Sequence, residues 1–208
     1  MKLKVCGLSN PNEVKICINN NVNFCGFILN YPKSHRYISY EKVKELLNID
    51  KDKTQYVGVL VEPSLEELKK FSQLNLDYFQ LYGQYDNKSL ENIKNKFKKK
   101  IIASIQVKSK SDIKIYKNLQ DASDIILWDS SGYEKSLSWN HSWIKNIKIK
   151  GEKMIAGNIT KDKLSNLSKL ADIIDVSGAL ETNKVKDTQK IIEFVTYLKN
   201  INNENKKR

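Results

Sequence analysis

The chain is poor in the residues that build stapled or metal-bound folds: its 208 residues include three cysteines, two histidines and three prolines. Cys6, Cys17 and Cys25 form an odd set without the paired spacing of a zinc site, and only His35 and His141 could supplement them. Neither a disulfide framework nor a structural metal is expected. No apolar run approaches the roughly 20 residues of a membrane span, and the opening Met1-Lys2-Leu3-Lys4-Val5-Cys6 lacks the apolar stretch of a signal peptide. These absences point to a cytoplasmic protein with no membrane partner. Arginine is scarce as well. Lysine supplies 34 of the 36 cations, leaving only Arg36 and Arg208, although the net charge is +12. Nucleic-acid recognition favours the bidentate arginine fork, so the basic balance reads as a solvated surface that attracts an anionic small molecule, with no nucleic-acid partner.

What is present is the composition of a globular domain, 40% hydrophobic and 29% charged. A chain of this length buries roughly 70% of its unfolded surface around one core. Eight short β-branched or apolar runs recur, at 3–6, 24–29, 56–61, 78–81, 101–105, 124–128, 152–156 and 172–176. The segments between them read as amphipathic helices. Ser64 stands three residues before Glu67 as a capping box, followed by Leu65, Leu68, Phe71 and Leu74 on one face. Leu90, Ile93 and Phe97 repeat the spacing, as do Leu164, Leu167 and Leu170, and then Ile191, Phe194, Val195 and Leu198. Strict alternation, with every strand followed by a helix and no Pro/Gly-rich linker, predicts an α/β fold: a single (β/α)8 (TIM) barrel over residues 1–208. The polar end, residues 201–208, reads as a frayed tail. An open doubly wound sheet is disfavoured, because the turn after the first strand, Cys6-Gly7-Leu8-Ser9, lacks G-x-G-x-x-G.

In a parallel barrel the reacting groups lie at the carboxyl ends of the strands. Strand one ends in Cys6-Gly7, strand six in Asp129, strand seven in Gly157-Asn158 and strand eight in Ser177-Gly178-Ala179. Small residues ending strands seven and eight leave backbone N–H groups uncovered side by side, as a phosphate requires, although the same glycines could simply make tight turns. Taken alone, Cys6 reads as a packing residue and Asp129 as a helix cap. Together they offer a soft base and a carboxylic acid on opposite sides of a bound substrate. Arg36, in the loop behind Pro32, suits a carboxylate or reads as a surface residue. His35 and His141 read as solvent-facing or capping, and Trp128, Trp139 and Trp143 as packing of the sixth unit. Lys135-Ser136 lacks the spacing of a Walker loop.

Lys4-Val5-Cys6-Gly7-Leu8, the stretch from Gly26 to Tyr37, Val57-Gly58-Val59-Leu60-Val61, Phe79-Gln80-Leu81-Tyr82-Gly83, Ala156-Gly157 and Asp175-Val176-Ser177-Gly178-Ala179-Leu180-Glu181 follow one another in order. This set resembles the phosphoribosylanthranilate isomerase family of tryptophan biosynthesis, nearly end to end. The resemblance implies an intramolecular aldose–ketose isomerase that needs no metal or organic cofactor and takes a small phosphorylated substrate. N-(5-phosphoribosyl)anthranilate becomes 1-(2-carboxyphenylamino)-1-deoxyribulose 5-phosphate by an Amadori rearrangement. It implies Asp129 as the general acid and Cys6 as the base. Arg36, Tyr82 and Asp175 would bind the substrate, Arg36 through the anthranilate carboxylate and Asp175 through ribose hydroxyls or by ordering the loop. Gly157, Asn158, Ser177, Gly178 and Ala179 would hold the phosphate. Tyr82 stands where the family has histidine, Asn158 replaces a second glycine, and Ser177-Gly178-Ala179 replaces Ser-Ser-Gly. The stretch after Asp129 is shorter than the family's Gly-rich loop, keeping only Gly132, Lys135, Ser136 and Trp139 in common. The alternative is another phosphate-binding barrel isomerase or synthase of amino-acid biosynthesis. Those that pair aspartates on strands one and six are disfavoured by Cys6, and those that use a lysine and a glutamate by the lack of a strand ending in Lys. The expected assembly is a monomer or a homodimer.

Overall fold

A computed structural model describes residues 1–130 and 138–207, with side chains described through Asn205. The elements run β1 (Lys2–Cys6), α1 (Pro11–Asn19), β2 (Phe24–Ile28), α2 (Tyr40–Leu46), β3 (Gln55–Val61), α3 (Leu65–Ser72), β4 (Tyr78–Tyr82), α4 (Asn87–Phe97), β5 (Lys100–Val107), β6 (Ile125–Ser130), β7 (Glu152–Ile155), α5 (Leu164–Leu167) and β8 (Ile173–Val176). A two-stranded hairpin, β9 (Glu181–Thr182) with β10 (Val185–Lys186), and a final helix, α6 (Thr188–Lys207), complete the chain. The eight main strands are parallel and close into a barrel in sequence order, with β8 paired to β1 through Ile173 opposite Lys2 and Val176 opposite Val5.

Strand alternation divides the apolar residues into two cores. Phe24, Val57, Val59, Ile102, Leu127, Met154 and Ile173 fill the barrel's interior, while Val5, Cys25, Phe27, Leu60, Phe79, Ile126 and Ile174 pack outward under the helices. The inward parity also places Lys4 and Cys6 on one face of β1, Gln80 and Tyr82 on one face of β4, and Asp175 and Ser177 along one line at β8. Polar residues at these positions lie above the apolar layers, at the carboxyl end. That polarity gradient along the barrel axis positions the site.

Local sequence accounts for the helices. Ser64 accepts the backbone N–H of Glu67 and the Glu67 carboxylate accepts that of Ser64, so α3 starts on the expected capping box and buries Leu68 and Phe71. Asn10 and Glu13 make the same reciprocal cap on α1. Among the described residues, the expectation of a helix after every strand needs correction in two units. Lys110–Asn118 after β5 and His141–Ile144 after β6 are 3-10 turns. Within Lys110–Asn118 only Ile113 is buried, so there is no apolar stripe to hold an α-helix, and the Ser, Asp, Asn and Ile content lowers its intrinsic propensity. The expected frayed tail also differs from the structure. Ile201 continues the stripe of Leu198 and is buried, and Asn202 bonds both the amino group and the carbonyl of Met1, so α6 extends to Lys207. Gly132, Lys135 and Ser136, expected to match the family's loop, lie outside the described residues. Among the described residues no helix is long and apolar enough to cross a membrane.

Candidate active site

The carboxyl ends of the strands surround a cavity of about 300 Å³. Its volume falls within the range of small-molecule sites. Cys6 from β1, Tyr82 from β4, Asp129 from β6 and Asp175 from β8 form its walls, and Arg36 reaches it from the loop after β2. Gly157 and Asn158 after β7, and Ser177, Gly178 and Ala179 after β8, form one end. The ten residues singled out by sequence therefore share one space.

Asp129 sits where the strand leaves the barrel. Its Oδ1 accepts the backbone N–H of Ser130 at 2.7 Å and its Oδ2 accepts the Tyr82 hydroxyl, also at 2.7 Å. Gln80 Nε2 donates to the same Tyr82 oxygen at 3.1 Å, giving a chain from Gln80 through Tyr82 to the carboxyl. Burial pushes Asp129 up to about 6, against the opposing effect of the Tyr82 bond, and the charge of Asp175 adds to the rise. Burial, and then the Asp129 charge, hold the Tyr82 phenol well above its ordinary value, so it stays a donor. Tyr82 thus contacts Asp129 directly, in addition to lining the cavity.

Cys6 is nearly buried, and burial pushes its thiol up; the first opposing influence is Lys4. Sequence reasoning assigned no role to Lys4. It is fully buried, and its Nζ donates to Asp175 Oδ2 at 2.7 Å. Burial disfavours the ammonium, but Asp175 and then Cys6 outweigh it and raise the Lys4 pKa. Asp175 Oδ1 and Gln80 Oε1 are buried without a partner among the described residues, and both residues line the cavity. Free acceptors at this depth match a ligand that brings hydroxyl donors.

The end of the cavity formed after β7 and β8 combines two backbone devices. Gly157 and Asn158 both take left-handed angles, with φ of 93° and 50°. Asparagine tolerates that region, so the replacement of glycine at 158 keeps the turn. Opposite, Ser177 leads into a 3-10 turn at Gly178–Leu180, where the first N–H groups have no partner within the turn. The Ser177 hydroxyl donates to the carbonyl of Cys6 at 2.9 Å, tying this end of the cavity to β1. Sequence reasoning also missed two supports. Trp139 Nε1 donates to the carbonyl of Ala156 at 2.9 Å, and a ring nitrogen of His141 lies 3.2 Å from the same oxygen, so both fix the residue before Gly157. His141 is buried rather than solvent-facing, packed edge-on against Trp139.

Arg36 is not a free surface residue. Its Nε and Nη2 donate to the two carboxylate oxygens of Glu181 at 2.5 and 2.9 Å. Lys186 bonds the same carboxylate and also Ser177 Oγ, and His35 Nε2 lies 3.2 Å from Glu181. Burial alone would raise Glu181, but Arg36 and Lys186 hold it down at about 2. The β9–β10 hairpin thereby fixes the guanidinium of a residue that lines the cavity. Gly7 makes this possible. Its φ of 78° suits glycine, and a Cβ there would lie 2.5 Å from Arg36 Cδ.

A buried carboxyl and a thiol around one cavity, with a guanidinium and small residues at the ends of β7 and β8 in its lining, are the equipment of an acid–base barrel enzyme. The family model described as N-(5'phosphoribosyl)anthranilate (PRA) isomerase matches residues 3–197. The chain belongs to that isomerase family. It is 31% identical over 207 residues to the N-(5'-phosphoribosyl)anthranilate isomerase of Clostridium kluyveri, covering 97% of this chain and 99% of the relative. With the Streptococcus mutans enzyme of the same name it shares 30% over 203 residues, covering 95% and 98%. The crystal structure of phosphoribosyl anthranilate isomerase from Thermotoga maritima superposes with a TM-score of 0.84 at 23% identity, covering 96% of this chain and 99% of that one. This last likeness concerns the fold.

Proposed function

We propose that the chain is the isomerase that converts N-(5-phosphoribosyl)anthranilate to 1-(2-carboxyphenylamino)-1-deoxyribulose 5-phosphate in tryptophan biosynthesis, working in the cytoplasm as a monomer or homodimer. The observation that carries the reading is Asp129. It is a carboxyl held near 6 by burial, in the same cavity as Cys6 and an anion cradle. Such a group keeps its proton where an ordinary carboxyl has lost it, and so serves as an acid near neutrality.

In this reading Gly157, Asn158, Ser177, Gly178 and Ala179 hold the phosphate, and Arg36, braced by Glu181, holds the anthranilate carboxylate. Asp175 Oδ1 and Gln80 Oε1 accept the ribose hydroxyls. Asp129 gives its proton to the furanose ring oxygen, and the C1′–O bond breaks to leave a protonated Schiff base. Cys6, as thiolate, takes the proton from C2′, and the C–H electron pair forms the enolamine. Tautomerisation of the enolamine gives the ketone. No atom is gained or lost, and no external oxidant or reductant is required. Every residue invoked comes from one chain.

The direct test is to incubate the protein with freshly made substrate and follow the sugar carbons by carbon NMR. The reading expects C2′ to appear as a ketone carbon. Substrate that decays to anthranilate and ribose phosphate at the enzyme-free rate contradicts it.

A further inference from the structure

A thiolate base buried in a barrel needs a nearby positive charge, because removing its hydration disfavours the charged form. The charged and titratable groups whose electrostatics reach Cys6 come from several elements: Lys4 on its own strand, Asp175 on β8, Tyr82 on β4, Arg36 from the loop after β2 and Lys186 on β10. Arg36 and Lys186 are both engaged by Glu181. Lys4 is differently placed.

Lys4 and Cys6 are two residues apart on β1 and so point to the same side, into the barrel. Their neighbour in the sheet is β2, whose Gly26 lies opposite Cys6. A Cβ on Gly26 would lie 3.0 Å from Cys6 Sγ and 3.1 Å from Lys4 Nζ. Both atoms therefore crowd the same missing side chain, and the bare glycine is what lets the ammonium come up beside the sulfur. Lys4 has no exposed surface, so it contributes nothing to solubility. Asp175 takes one of its three protons and fixes its position. A buried ion pair is by itself weak evidence for stability, which leaves its placement against the sulfur to be explained.

We propose that Lys4 is a positioning residue for the isomerisation: its ammonium, tethered by Asp175 and admitted by Gly26, stands against the Cys6 sulfur and carries the counter-charge of the thiolate base. This rests on the reading of Cys6 as the base. Lys4 touches no substrate atom in this role and acts only through Cys6.

The test is the pH dependence of Cys6 alkylation by iodoacetamide, read on the Cys6 peptide by mass spectrometry, together with the pH profile of kcat/KM. Lys4→Met keeps the stem and removes the charge. Because it also leaves Asp175 unpaired, Asp175→Asn and the double variant Lys4→Met/Asp175→Asn accompany it; if the single Lys4 variant fails to fold, the other two suffice. Loss of the cation is expected to move the alkylation midpoint up by at least about one pH unit, a roughly tenfold loss of thiolate below the midpoint. The double variant should show this relative to Asp175→Asn, with kcat/KM about tenfold lower at neutral pH and the ratio of the two closing only above the Cys6 midpoint of Asp175→Asn. An unchanged midpoint in both comparisons overturns the role of Lys4. Failure of the underlying reading looks different, since full activity in Cys6→Ser removes Cys6 as the base whatever the alkylation shows.

Discussion

Replacing Tyr82 by Phe keeps the ring that packs inside the barrel and removes the hydroxyl, and with it the bond accepted from Gln80 Nε2 as well as the 2.7 Å donation to Asp129 Oδ2. Hydrogen bonds to a charged group contribute about 1.5–3 kcal/mol. Because that bond favours the carboxylate, its loss favours the protonated form, and at about 1.36 kcal/mol per pKa unit the carboxyl should rise by about one to two units. Burial already holds it at about 6, so the variant's Asp129 should titrate at about 7–8. The productive enzyme carries protonated Asp129 and a Cys6 thiolate. Below the Asp129 pKa the rate grows with the thiolate fraction, and above it that gain is cancelled by loss of the acid. The profile of kcat/KM against pH therefore bends at the Asp129 pKa. Loss of substrate fluorescence, measured from pH 5 to 9 for both proteins, locates the bend. A bend that stays in place or moves to lower pH refutes the acid assignment of Asp129, the influence of Tyr82 on it, or both.

Glu181 offers a stability test with a defined sign. Its folded pKa, about 2, lies below its ordinary 4.5, so its pairing with Arg36 and Lys186 stabilises the fold above pH 4.5 and that contribution is lost as pH falls toward 2. The difference in urea midpoint between the parent and Glu181→Gln should be largest near pH 6 and vanish toward pH 2; a constant difference contradicts the assignment. In Gly7→Ala a side chain enters a left-handed position and meets Arg36 Cδ. Stability should drop by about 1–3 kcal/mol, with KM rising more than kcat falls; an unchanged KM would separate Arg36 from substrate binding.

All eight strands were legible because buried parallel strands are short continuous apolar runs, and the regular spacing left room for one connection each. The ends of β1, β6, β7 and β8 were legible for a topological reason, since parallel strands bring their carboxyl ends to one mouth. Lys4 was not. A lysine between Leu3 and Val5 looks like the solvent-facing member of an alternating strand, and only closure of the barrel turns that face inward against Asp175. Its parity with Cys6 was the available signal. The Glu181 clamp on Arg36 spans 145 residues, and no local pattern announces a contact of that range. Trp139 and His141 meet Ala156 through a carbonyl, which carries no side-chain signature. The two 3-10 connections escaped detection because a gap between strands long enough for a helix does not reveal which of its residues will be buried.

The central claim is that one acid and one base, Asp129 and Cys6, carry the isomerisation. The most direct measurement is the fluorescence assay on freshly generated N-(5-phosphoribosyl)anthranilate with the parent, Cys6→Ser and Asp129→Asn, each checked for folding by circular dichroism. Rapid loss of substrate by the parent is predicted, with each folded variant slower by roughly 10²–10⁴-fold. Parent-like turnover in either folded variant would contradict the claim.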